Sequence, residues 1–257
     1  AFDRLKPGAC GEDGIYETEK EAALQRTVNL GERIHANLPE ALEITGDQGI
    51  RLSDVAEGHA TLDAFIAQLQ KEELATIVRG EGMSSPKVTP GTASAFGGVS
   101  DALHAYGIPV ACCSDGPSGI RMEGGWKATQ LPIGTLLACS FNLPMMEELY
   151  EMEGKELVSN EIDTLLGPGI NIHRHPLNGR NFEYYSEDPF VTGTFAAAAV
   201  RGIKKGGSTA TVKHFAANDQ EKARHTVDAV VSERALREIY LKGFEIAVKE
   251  GGAVSIM

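Results

Sequence analysis

The chain has 257 residues, 42% of them hydrophobic, and a formal charge of −12 from 24 basic against 36 acidic side chains. A chain of this size buries a sizeable core, and its acidity argues against a partner built on phosphate backbone. No run approaches the eighteen or so apolar residues of a membrane span, and no charged-then-apolar leader opens the sequence, so a cytoplasmic location, no nucleic acid and no membrane are expected.

Residues 1–60 are the least regular part and read as a linker or the tail of a neighbouring domain. One helical candidate runs from Glu17 to Leu38, with Leu24, Val28, Ile34 and Leu38 as its apolar stripe. Thr61 then opens a clearer helix, with Leu62, Phe65, Ile66 and Leu69 on one face, and a shorter one carries Leu74, Ile77 and Val78 before Gly80. Residues 82–98, rich in Ser, Pro, Thr and Gly, read as a loop.

From Ile108 the pattern changes to short β-branched or apolar runs alternating with helices, the signature of βα units around a parallel sheet. The strand candidates are Ile108–Cys113, Ile162–Leu166, Thr209–Val212 and Ala253–Ile256. Pro144 marks the start of one helix, Asp188-Pro189 opens the next, and Ser232 opens a third that stops at Gly251-Gly252, with Leu236, Ile239, Tyr240 and Ala247 on one face. About four βα units fit into residues 108–257, whereas a closed (β/α)8 barrel takes about 250 residues. The expected fold is therefore α/β, a partial TIM-like barrel after a helical and irregular lead-in, in a natural protein that continues beyond Met257. Cys10, Cys112, Cys113 and Cys139 have no C-x-x-C spacing and read as buried free thiols in a reducing compartment.

Polar groups collect where the strands end, the end at which parallel barrels carry their sites. After the first comes S-D-G-P-S-G-I-R, in which Asp115 is either an acceptor for two adjacent ligand hydroxyls or a turn residue capping its own backbone. After the second comes G-P-G-I-N-I-H-R-H-P-L-N-G-R-N-F-E-Y-Y-S-E-D-P, Gly167 to Pro189. Its Arg180 offers a planar charged fork for hydroxyls, for an ion pair with Glu183, Glu187 or Asp188, or for both. His173 and His175 could share one side of an extended segment, but no third ligand stands at an evident spacing, and no metal and no cofactor are expected. After the third come Lys213 and His214, each able to donate to hydroxyls, then a polar run through Asp219, Gln220, Glu221 and Arg224. Neither a G-x-S-x-G elbow, a phosphate loop nor H-E-x-x-H is present.

These motifs, in this order over about 150 residues, resemble glycoside hydrolase family 3, the family of many β-glucosidases and β-xylosidases. The matching runs are D-G-P-S-G-I-R, G-P-G-I-N-I-x-R-x-P-L-x-G-R-N-F-E-Y-x-S-E-D-P, K-H-F-x-x-N-x-Q-E and L-R-E-I-Y. L-S-D-V, T-L-D-A-F and P-G-T-A-S-A-F-G-G-V-S upstream resemble the lead-in of its β-glucosidase members. The resemblance implies that 61–257 is the first half of the barrel domain of a retaining, exo-acting hydrolase acting on β-glucosides or short β-glucan oligosaccharides. It places Asp115, Arg180, Lys213 and His214 in the −1 subsite, with Met257 beginning a further lining segment. The family's nucleophile is an aspartate in S-D-W or T-D-W, expected beyond Met257, so no catalytic carboxylate is assigned here. The acid/base is expected from an α/β sandwich domain, and 1–60 would suit the tail of one placed before the barrel. The N-acetylglucosaminidase branch carries a histidine where Asn218 stands, which disfavours it; His225 and Asp228 are out of register. The alternative reading is a non-catalytic carbohydrate-binding or assembly fragment.

Overall fold

A computed structural model describes residues 4–22, 29–83 and 85–257. They fall into two units, one within Ala1–Ala41 and Asp228–Ser232, the other Leu42–Val227 with Glu233–Met257.

The first unit carries a hairpin of β1 (Arg4–Cys10) and β2 (Tyr16–Glu21), followed by the short helix α1 (Leu30–His35). The helix expected over Glu17–Leu38 is thus a strand at its start. Tyr16-Glu-Thr-Glu-Lys-Glu alternates side chains across a ribbon, and opposite charges face each other at Arg4 with Glu21 and Lys6 with Glu19, the latter pair 3.5 Å apart. Leu24 and Val28 lie outside the described residues, and Ile34 and Leu38 are exposed, so they form no core stripe. Asn29 caps α1, its Oδ1 accepting from the Glu32 N–H at 3.2 Å.

The second unit opens with α2 (Leu52–Ala56), α3 (Leu62–Ala67) and α4 (Lys71–Arg79). Thr61 caps α3 through the Ala64 N–H, and a satellite core gathers Phe65, Leu69 and Tyr106. Next come β3 (Ser94–Gly97), α5 (Asp101–Ala105), β4 (Val110–Asp115), α6 (Gly134–Ala138), α7 (Leu143–Ser159), β5 (Thr164–Leu166), α8 (Pro189–Gly206) and β6 (Thr209–Val212). The turn α9 (Glu233–Ala235), a π-helical turn at Leu236–Tyr240, α10 (Lys242–Lys249) and β7 (Ser255–Ile256) complete it. The sheet order is β3-β4-β5-β6-β7, antiparallel at β3–β4 and parallel beyond. With helices between successive parallel strands, this curled sheet is half of a (β/α)8-type barrel.

Two differences from the expected elements have identifiable causes. The stretch 82–98 contains β3, because Gly97 at φ +81° and Gly98 bring the chain back against Pro109 and pair Ser94–Gly97 with β4. The first barrel strand runs two residues later than Ile108–Cys113, starting after Pro109, whose missing N–H cannot join a ladder. Asp115 is therefore its last residue.

The helix ends follow their sequence signals. Asn142 accepts from the Met145 N–H at the start of α7, and Asp188 accepts from the N–H groups of Phe190 and Val191 at the start of α8. The Ala-rich face of α8 lies against α7: a Cβ on Gly202 would stand 2.4 Å from the Glu147 carbonyl oxygen, so only glycine permits this approach. Beneath them the strands alternate. Cys112, Leu165, Ala210 and Val212 join Met146, Tyr150, Leu157, Phe195 and Ile203 in the core, while Thr164, Thr211 and Ser255 link hydroxyls at 2.9 Å on the opposite face of the sheet. All four cysteines are free; Cys112 and Cys113 are buried, but Cys10 and Cys139 are exposed, contrary to their expected burial.

Glu153 of α7 is 2% exposed, and neither carboxyl oxygen has a hydrogen-bond partner among the described residues. Burial, with a smaller push from Glu156, raises its pKa to about 8. The folded chain thus keeps a proton that the unfolded chain releases near pH 4.5, and stability falls as pH rises between those values. Glu153→Met is expected to raise the denaturation midpoint, with a gain that is small near pH 4.5 and largest at about pH 8. Urea melts across that range would contradict this with a gain independent of pH.

Candidate functional site

Three strand ends bring the candidate residues together. Asp115 ends β4, and the turn behind it is tightly held: Arg121 N–H donates to the Asp115 carbonyl at 2.7 Å, Ser114 Oγ to the Arg121 carbonyl at 2.8 Å, and the buried Tyr150 hydroxyl to the Pro117 carbonyl at 3.2 Å. A Cβ on Gly119, at φ +99°, would lie 2.3 Å from the Thr129 carbonyl oxygen. The turn is built by backbone and neighbours, and the Asp115 side chain bonds Lys213 instead of capping it.

Beyond β5 the backbone runs alongside the end of β6, with Lys213 N–H donating to Pro168 at 3.1 Å and Ile170 N–H to Lys213 at 2.7 Å. The loop then folds on itself around its histidines. His173 Nε2 lies 2.8 Å from the Asn181 carbonyl, and His175 Nδ1 accepts from the Leu177 N–H at 3.1 Å. Among the described residues no group of three or more His, Cys, Asp or Glu is placed to hold a metal ion. The folded loop ends in a 3-10 turn, Asn181–Glu183, that swings Glu183 inward.

Glu183 joins the strand ends. It is 2% exposed, pairs through Oε1 with Arg180 Nε, and places Oε2 4.0 Å from Lys213 Nζ. Lys213, also 2% exposed, donates to Asp115 Oδ1 at 2.5 Å. Asp115, 36% exposed, is the outermost member. The order Arg180, Glu183, Lys213, Asp115 alternates in sign, so each buried charge has an opposite neighbour. Burial pulls the Arg180 pKa down, but Glu183, Tyr184 and Glu221 outweigh it and the net shift is upward.

His214 lies beside this chain. Asn171 brackets its backbone, Nδ2 donating to the His214 carbonyl at 2.8 Å and Oδ1 accepting from the His214 N–H at 2.7 Å. Tyr184 Oη stands 3.2 Å from His214 Nδ1 and accepts from Asn218 Nδ2, which also donates to Glu221. Burial first, then Arg180 and Lys213, lower the His214 pKa to about 4, so the imidazole is neutral at neutral pH. Burial works to raise the Glu221 pKa, but Asn218, Arg180 and Arg224 hold it below the ordinary value.

Arg180 and His214 open onto a cleft of about 280 Å3, lined also by Phe215, Ala216, Asn218, Glu221, Arg224 and His225. Met257 is held at the rim of β6 through its backbone, its N–H donating to Val212 at 3.0 Å and its carbonyl accepting from Phe215 at 2.8 Å. A larger hollow of about 920 Å3 lies at the other end of the sheet, lined by Val110 and Thr209 at the starts of β4 and β6 and by Ile162 ahead of β5. The smaller cleft is the better candidate, because parallel barrels carry chemistry at the C-terminal ends of their strands and the buried charges are there.

Asp115, Arg180, Lys213 and His214 are thus neighbours. From sequence alone Glu183 stands only as an ion-pair partner of Arg180, and Asn171 and Tyr184 have no assigned place. Asn171 had no signal beyond its place in the motif; Glu183 had one, an acid at i+3 from an arginine.

Comparisons with known proteins bear on the family and the fold. Residues 51–257 match the family model described as the glycosyl hydrolase family 3 N-terminal domain. A β-glucosidase of Ruminococcus albus is 62% identical over 220 residues, 86% of this chain and 23% of its own length; β-glucosidase A of Butyrivibrio fibrisolvens is 48% identical over 199 residues, 77% and 23%. The crystal structure of a β-glucosidase from Paenibacillus barengoltzii is 72% identical with a TM-score of 0.88, over 100% of this chain and 28% of that one. β-Glucosidase 3B of Thermotoga neapolitana, solved in complex with glucose, is 40% identical with a TM-score of 0.67, over 76% and 28%. The chain spans about a quarter of the length of the curated relatives it matches. With four-fifths of its residues inside the family model and its barrel half in place, the chain belongs to glycosyl hydrolase family 3, as part of that family's N-terminal domain.

Proposed function

We propose that the full-length protein is a retaining, exo-acting β-glucosidase that releases glucose from the ends of β-linked oligosaccharides and aryl glucosides, and that this chain supplies the pocket for the terminal sugar. The observation that carries the reading is the alternating chain Arg180–Glu183–Lys213–Asp115, buried at Glu183 and Lys213, beside a small cleft at the strand ends. The relatives, themselves named β-glucosidases, support it.

In this reading Asp115 is the contact residue and Lys213 its support. Lys213 holds Oδ1, which leaves Oδ2 to accept from sugar hydroxyls. Arg180, with Nε taken by Glu183 and Nη1 4.0 Å from Glu221 Oε1, lines the cleft as its donor. Met257 would add to the rim. Retaining chemistry needs two carboxyl groups about 5–5.5 Å apart, one forming the covalent glycosyl-enzyme and the other acting as acid and then base. The single tryptophan, Trp126, follows Gly125, so the S-D-W or T-D-W signature does not occur in these 257 residues. We assign the nucleophile to the remainder of the barrel and the acid/base to a sandwich domain.

Two outcomes are expected. Asp115→Asn in the full-length enzyme keeps the shape and an acceptor for Lys213 but loses charged hydrogen bonds to the transition state, and should lower kcat/KM on an aryl β-glucoside by about 100-fold or more in a protein that still folds, at a lower melting temperature because Lys213 loses one of its two acids. Wild-type kinetics would remove Asp115 from the pocket. Asp115→Ala is a poorer probe, since it leaves the Lys213 ammonium with Glu183 alone at 4.0 Å. Separately, the isolated 257 residues should show no aryl-glucoside turnover while the full-length protein does. Turnover by the isolated chain would overturn the placement of the nucleophile, and none by either would favour a non-catalytic sugar-binding role.

A further inference from the structure

Asn171 is 3% exposed, and its amide has only one workable orientation. Nδ2 faces the His214 carbonyl and Oδ1 faces the His214 N–H, so exchanging them would set donor against donor and acceptor against acceptor. The backbone therefore fixes Oδ1, and Oδ1 also lies 3.2 Å from the ring nitrogen Nδ1 of the same histidine. A carbonyl oxygen has no proton to give, so that contact is attractive only when Nδ1 carries the hydrogen. The other neighbour of Nδ1 is the Tyr184 hydroxyl at 3.2 Å, which can donate or accept and follows the partner that cannot change.

We propose that Asn171 is a positioning residue of the sugar pocket, holding His214 as the Nδ1–H tautomer so that bare Nε2 is presented to the cleft as an acceptor for a ligand hydroxyl. This reverses the donor role expected of His214 from sequence. The cleft then offers donors at Arg180 and an acceptor at His214, with the Asp115 carboxylate beside it on Lys213, which suits adjacent hydroxyls that must each give one hydrogen bond and take another. The ligand-binding part rests on the glucosidase reading; the tautomer does not. The charged and titratable groups facing His214 are Arg180, Lys213, Glu221, Asp115 and Tyr184. Burial and the two cations keep the ring neutral at neutral pH, the state in which a tautomer is defined.

The test is nitrogen NMR on full-length protein labelled with 15N-histidine, His214 being assigned by subtraction with His214→Gln. At neutral pH a protonated Nδ1 and a bare Nε2 are expected; the opposite pattern overturns the proposal. Asn171→Asp keeps the acceptor and adds a negative charge beside the ring, so the His214 titration midpoint should rise by about one pH unit or more. An unmoved midpoint also overturns it. Both readouts stand whether or not the protein hydrolyses glucosides, so failure of the glucosidase reading is seen separately, as absence of turnover. In protein that does turn over, saturating glucose should move the Nε2 resonance and leave Nδ1 protonated, and an unchanged Nε2 overturns the acceptor role.

Discussion

A carboxylate removed from water demands compensation, and Glu183 receives it from a hydrogen-bonded ion pair with Arg180 in its own loop and, at the longer range of 4.0 Å, from the charge of Lys213 at the end of β6. Lys213 is equally buried and needs more than one acid, which Asp115 at the end of β4 supplies. The three segments that form the pocket are therefore fixed by mutual need. Removing any inner member strands a charge that its neighbours had neutralised, so the geometry of the sugar pocket and the stability of this face of the sheet are the same problem.

The rest of the fold carries that network in register. Short parallel strands alternate between a hydrocarbon face against α7 and α8 and a face of linked hydroxyls at Thr164, Thr211 and Ser255. The close approach at Gly202 keeps the two long helices tight over the sheet. His173 and His175, each bonded to backbone within the loop, shape the turn that delivers Glu183. Tyr150, anchored in the core, reaches up to hold Pro117 behind Asp115.

Much of this was legible in the residues. Asp188-Pro189 and Pro144 announced their helices because helix starts are set by local interactions, and Thr209–Val212 matched its strand because buried parallel strands are short and β-branched. What was missed depends on distant partners. Ser94–Gly97 becomes a strand only because β4 is there to pair with it, and Tyr16–Glu21 became a ribbon because the charges of Arg4–Cys10 lie opposite. In the site, spacing revealed Arg180, Lys213 and His214 as polar groups at strand ends. It could not reveal that Glu183 is the buried centre, or that Asn171 faces the ring of a residue 43 positions away.

The central claim is that these charges act as one unit, and a double-mutant cycle between Asp115→Asn and Glu183→Gln in the full-length protein tests it most directly, read in both glucose affinity and unfolding free energy. Two acids sharing one buried lysine predict a coupling energy of about 1 kcal/mol or more. Effects that add within about 0.3 kcal/mol would contradict the account, because Lys213 would then not link the two sides of the pocket.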